Sequence, residues 1–119
     1  MIYFTDDELR CKCGCGVLKF DEDFRGILDS IRADCGFALP VSSGYRCPAH
    51  PIEAAKAAPG SHTTGRAVDI AVSRQRAHTL LRVALEHKVP RIGVSQKGED
   101  RFIHLDWDLS RPAPTVWSY

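Results

Sequence analysis

The chain has 119 residues, and its 16 Lys and Arg against 15 Asp and Glu leave a formal net charge of +1. That balance builds no basic field along the chain, which argues against nucleic acid as the partner. No apolar run approaches the ~20 residues needed to cross a bilayer, so no membrane insertion is expected, and the length suits one domain, 1–119, around a single core.

The first segment, Met1-Ile2-Tyr3-Phe4-Thr5-Asp6-Asp7-Glu8, has neither the basic start nor the apolar stretch of a secretory signal, so synthesis in the cytoplasm is expected. Thr5 followed three residues later by Glu8 is a helix-start signal for one short turn. Phe24, Ile27, Leu28, Ile31 and Cys35 recur at helical spacing, and Gly36 stops that helix. Residues 41–46 read as a short strand capped by Cys47-Pro48. The alanine-rich stretch 48–58 reads as a helix terminated by Pro59-Gly60. A strand over 66–72 follows, and Ser73 caps a helix whose buried face is Ala77, Leu80, Leu81, Ala84 and Leu85. Pro90 starts a strand over 91–95, residues 97–100 turn, and 102–107 returns antiparallel to it. The tail, with Pro112 and Pro114, is expected to lie as an extended flap. The order is α+β: a small antiparallel sheet flanked by helices.

Two of these strands carry polar chemistry on one face only. Side chains alternate along a strand, so Val68, Ile70 and Val72 oppose Ala67, Asp69 and Ala71. In the same way Ile103, Leu105 and Trp107 oppose Phe102, His104 and Asp106. Gly65 after Thr63-Thr64 makes a turn that brings His62 back beside Asp69. Two imidazoles and a carboxylate on adjacent strands would give a three-ligand zinc site with an open position, the arrangement of catalytic zinc.

Ser61-x-His62-x-x-Gly65-x-Ala67-x-Asp69, followed by His104-x-Asp106, resembles the zinc D-alanyl-D-alanine carboxypeptidases. Phage endolysins that cleave the L-Ala–D-Glu bond share the pattern, and hedgehog signalling domains and lysostaphin-type endopeptidases are more distant kin. Ser43-Gly44-Tyr45-Arg46 matches the segment that precedes the zinc motif in these peptidases. The resemblance implies one catalytic Zn2+ held by His62, Asp69 and His104. It implies that Arg46 orients substrate and stabilises an oxyanion, a task suited to a forked, permanently charged guanidinium. Ser43 and Tyr45 would join Arg46 in binding substrate, and His50 would approach the cleft from the next segment.

The general base departs from the family pattern. Relatives carry an acid three residues before the last ligand or a histidine two before it, where this chain has Arg101 and Phe102. Asp106 shares the face of His104 and is the favoured substitute, with Asp100 and Glu99 as alternatives. Asp106 could instead fix a ligand imidazole from behind.

The other histidines, His78 and His87, fit structural or surface roles, His87 near a helix end where a cation suits the dipole. Five cysteines cannot all pair within one chain. Cys35 fits the core stripe of its helix. Cys11, Cys13 and Cys15 lack the two-residue gap usual in structural zinc knuckles. Reduced thiols, one or two disulfides, and a second metal on these three plus Cys47 all stay open.

The resemblance implies a monomeric zinc peptidase acting on peptidoglycan stem peptides, as a carboxypeptidase or an endolysin-type endopeptidase. It would reach the cell wall after phage-assisted release or aboard a virion. A zinc-binding wall-recognition module without catalysis, or a phage structural component, is the alternative.

Overall fold

The computed structural model describes residues 2–119; Met1, the first residue of the expected domain, lies outside them. Five strands form one sheet in the order β1-β2-β4-β3-β5: β1 (Val41–Ser43), β2 (Ala67–Ile70), β3 (Arg91–Ser95), β4 (Phe102–Asp106) and β5 (Thr115–Ser118). All neighbours run antiparallel except β3 and β5, which are parallel. The helices are α1 (Asp6–Leu9), α2 (Glu22–Cys35), α3 (Pro51–Ala54) and α4 (Arg74–Glu86), with a 3-10 turn at Ser61–Thr64. The fold class is α+β, as expected. Among the described residues no helix is long and apolar enough to cross a membrane.

Alternation along the strands divides the sheet into two faces with different work. Val68, Ile70, Ile92, Ile103 and Leu105 point to one side and meet Phe24, Leu28 and Ile31 of α2 and Leu80, Val83 and Ala84 of α4. Burying each of the larger side chains is worth roughly 1.5–3 kcal/mol, and this layer holds the sheet rigid beneath the opposite, polar face. Asp21 caps α2 by accepting from Phe24 N–H, and Gly36 ends it with φ 75°. Thr5 and Glu8 form the expected capping box of α1, each side chain accepting from the other's backbone N–H.

Three local expectations differ. The alanine-rich stretch is helical only over Pro51–Ala54. Buried Glu53 accepts from Gly60 N–H at 2.7 Å, which pulls the chain out of the helix and back over α3, and tertiary contact overrides alanine's propensity. On α4, Val83 rather than Leu85 completes the buried face, and Leu85 is exposed. The tail is a sheet strand: β5 pairs along β3 with Gly93 beside Trp117.

The first expected strand is also shorter, ending at Ser43. Gly44 leaves the sheet to pass against Leu9, where an added Cβ would stand 2.7 Å from the Leu9 carbonyl oxygen. Tyr45 N–H then donates to that same carbonyl at 2.9 Å.

Candidate metal centre

His62, Asp69 and His104 converge on the polar face, each buried and each offering one ligand atom within 4.8 Å of the others. The β2–β4 register sets Asp69 directly opposite His104. His62 comes from outside the sheet, on the 3-10 turn closed by Gly65 at φ 74°. An added Cβ at Gly65 would sit 2.5 Å from the Lys19 carbonyl, so glycine is required both for the turn and for the close approach. Asp69 Oδ1 lies 3.3 Å from His62 Nε2 and 2.8 Å from His104 Nδ1.

The far nitrogen of each ring is held from behind. His62 Nδ1 lies 2.7 Å from the Gly44 carbonyl, which accepts its proton and leaves Nε2 as the lone-pair nitrogen. His104 Nε2 lies 2.6 Å from Asp106 Oδ2, which leaves Nδ1 facing Asp69. Both tautomers therefore present a free lone pair to one point. Two such imidazoles plus a carboxylate are a fitting donor set for zinc, and the carbonyl and carboxylate behind them are the supports ligating histidines require.

Electrostatics hold the Asp69 member of this set as a carboxylate. Burial alone would raise Asp69, but hydrogen bonds and charge from His104 and His62 outweigh it and hold the carboxyl well below the usual range. Burial pulls His104 down, and its hydrogen bonds to the Asp106 and Asp69 carboxylates reverse that and raise it.

A family model described as Peptidase M15 matches residues 2–106. The chain belongs to the M15 peptidase family. Peptidases of this family are zinc-dependent, so this chain is a zinc metallopeptidase by descent. Searches of curated proteins and of solved structures give no significant match.

In this M15 peptidase the triad opens on a cleft of about 280 Å³, whose lining includes Arg46, Lys56, Arg91, Arg111, Trp117 and Tyr119. Arg46 is fixed by three contacts: Nε donates to Ser43 Oγ at 2.9 Å, Nη1 pairs with Glu53 at 3.2 Å, and Nη2 lies 3.7 Å from Asp69 Oδ2. Glu53 is pressed upward by burial, but bonds from Lys56, Gly60 N–H and Arg46 overcome this and lower it to about 2.

The expected site residues are not all at the cleft. Ser43 supports Arg46 and is not part of the cleft lining. Tyr45 turns inward, buried with Cys11 and Cys47 against Phe20, because Gly44 carries the chain under Leu9. His50 caps α3, its Nδ1 accepting from Ile52 N–H at 3.2 Å. Asp106 is fully buried: Oδ2 faces His104, while Oδ1 accepts from Arg91 Nε at 2.9 Å and Asp108 N–H at 3.0 Å. Glu99 lines a different cavity, with Pro40, Ala71 and Arg76, and neither it nor Asp100 lines the cleft.

Several participants escaped the sequence reading. Arg91 lies behind Asp106, with its guanidinium carbon 4.9 Å from the centre of the Trp117 ring. Trp117 also tilts against His104 at 5.4 Å, with Gly93 leaving room for its indole. The available signal was the parity of the strand beginning at Arg91, which puts that residue on the face of His104. Glu53 gave none, since an acid in an alanine-rich stretch reads as a solvated helix face.

Proposed function

We propose that this peptidase hydrolyses peptide bonds in peptidoglycan stem peptides, with zinc held by His62 Nε2, Asp69 and His104 Nδ1. The observation that carries the reading is a three-donor set, each imidazole oriented from behind, at the floor of a cleft lined by four cationic side chains. When bound, zinc supplies a water acidified to a pKa of ~7 and a Lewis acid for the scissile carbonyl. Stem peptides carry free carboxylates, and Arg46, Lys56 and Arg111 offer them a cationic lining. Arg46 has the fixed geometry suited to a substrate carboxylate or a developing oxyanion beside Asp69. Trp117 and Tyr119 also line the cleft and would exclude water from a bound chain.

Asp106 fits the orienting role better than the water-activating one, because both of its oxygens are engaged away from the ligand atoms. Action at the wall, after phage-assisted release or aboard a virion, goes with this substrate and is part of the proposal.

One observation favours a second reading, a zinc-binding wall module without catalysis. Among the described residues, the carboxylates lining the cleft are Asp69 and Asp106, both already committed. The deciding experiment is mass spectrometry of purified peptidoglycan after incubation with the zinc-loaded protein, beside a chelated control. Chelator-sensitive new peptide ends establish the peptidase and name the bond. An unchanged digest with zinc bound favours the recognition module.

A further inference from the structure

We propose a second zinc site, structural and closed, on the thiolates of Cys11, Cys13, Cys15 and Cys47. The four sulfurs lie mutually within 4.8 Å, although 32 residues separate Cys15 from Cys47. Cys11–Cys13 is 3.5 Å, Cys13–Cys47 is 3.4 Å and Cys15–Cys47 is 3.7 Å. A tetrahedron with Zn–S bonds of ~2.3 Å has sulfur–sulfur edges of ~3.8 Å, so these separations suit four ligands around one ion. They are far longer than the ~2.05 Å of a disulfide, and all five cysteines are unpaired among the described residues.

The irregular spacing is solved by backbone shape. Gly14 and Gly16 both take positive φ, 102° and 70°, which folds three alternating cysteines into a loop closed by Cys11 N–H donating to Val17 O at 3.0 Å. Residues 12–15 form a turn, and its curl points the alternating cysteines at a common centre with Cys47. Two backbone donors already address the sulfurs: Cys47 N–H to Cys11 Sγ at 3.3 Å and Val17 N–H to Cys15 Sγ at 3.4 Å. Such N–H···S bonds favour thiolate over thiol. Four sulfur ligands leave no open position, which marks a structural rather than a catalytic ion.

The location gives the ion a task. Cys47 directly follows Arg46, and Gly44 three residues earlier orients His62. The opposite three ligands follow α1, whose Leu9 carbonyl receives Tyr45 N–H. A four-thiolate ion would clamp the amino-terminal segment to the loop that positions the guanidinium and one imidazole. This holds whether or not the cleft is catalytic.

The test is zinc stoichiometry of the purified chain by elemental mass spectrometry, with cobalt(II) replacement as a spectroscopic readout. Two zinc ions per chain are expected, falling to one in His62→Ala and to one in Cys13→Ser/Cys15→Ser. The cobalt form should show a thiolate-to-metal charge-transfer band that survives His62→Ala and disappears in the cysteine variant. Wild-type protein carrying one zinc that His62→Ala removes would overturn the proposal, even if the cysteine variant does not fold. Iron in place of zinc, or an intact mass lighter by a disulfide's two hydrogens, would overturn it as well.

Discussion

His104 and Asp106 stand two residues apart on one face of β4, with 2.6 Å between His104 Nε2 and Asp106 Oδ2. That contact fixes the ring so that its other nitrogen turns to Asp69, and Arg91 pins the carboxylate from the neighbouring strand. A residue attractive as a proton acceptor is thereby occupied as a brace.

Asp106→Asn tests this directly. Losing the carboxylate weakens the hold on the imidazole, and zinc affinity should fall by roughly 10–100-fold. Competition with a chelator measures it. Unchanged affinity together with lost turnover would return Asp106 to the role of base.

Arg46→Lys should leave zinc content intact and lower kcat/KM by roughly a hundredfold. An ammonium cannot span Ser43 and Glu53 while still offering a donor beside Asp69. Wild-type kinetics in this variant would remove Arg46 from the proposed machinery.

Glu53 links stability to acid pH. Its carboxyl falls from an ordinary value of 4.5 to about 2 on folding. A folded value below the unfolded one means stabilisation that is complete above 4.5 and lost as pH falls toward 2. The contribution is on the order of 3 kcal/mol. The Tm gap between wild type and Glu53→Gln should therefore shrink as pH drops through that window; a gap constant from neutral pH to 3 contradicts it.

Gly93→Ala should dislodge the carboxy-terminal strand. The new methyl would stand 2.7 Å from Trp117 ring atoms, an overpacking that costs roughly 1–3 kcal/mol. Adding Trp117→Ala removes the clash, so the double variant should lose less than the sum of the singles in denaturant unfolding. Additive losses would mean that Gly93 does not make room for Trp117.

The local signals were legible wherever chemistry and periodicity coincided. Strand parity separated Asp69 and His104 from Val68 and Leu105, because alternation is a property of the backbone itself. Thr5 with Glu8, and Gly36 after Cys35, marked helix ends through capping that needs only neighbouring residues. The candidate metal-binding pattern was readable from the same parity, with the Gly65 turn returning His62 beside Asp69.

What the tertiary structure alone decided was the company these residues keep. Arg91 joins Asp106 through a strand pairing, Glu53 reaches Arg46 only because α3 breaks off, and Trp117 meets His104 only because the tail adds to the sheet. Tyr45 and His50 looked like cleft residues until Gly44 ran beneath Leu9 and α3 needed a cap. Each outcome turns on contacts between distant segments, where burial and long-range hydrogen bonding outweigh local preference. The sequence by itself marked the candidate donors and the faces they occupy; the fold decided which acids become supports.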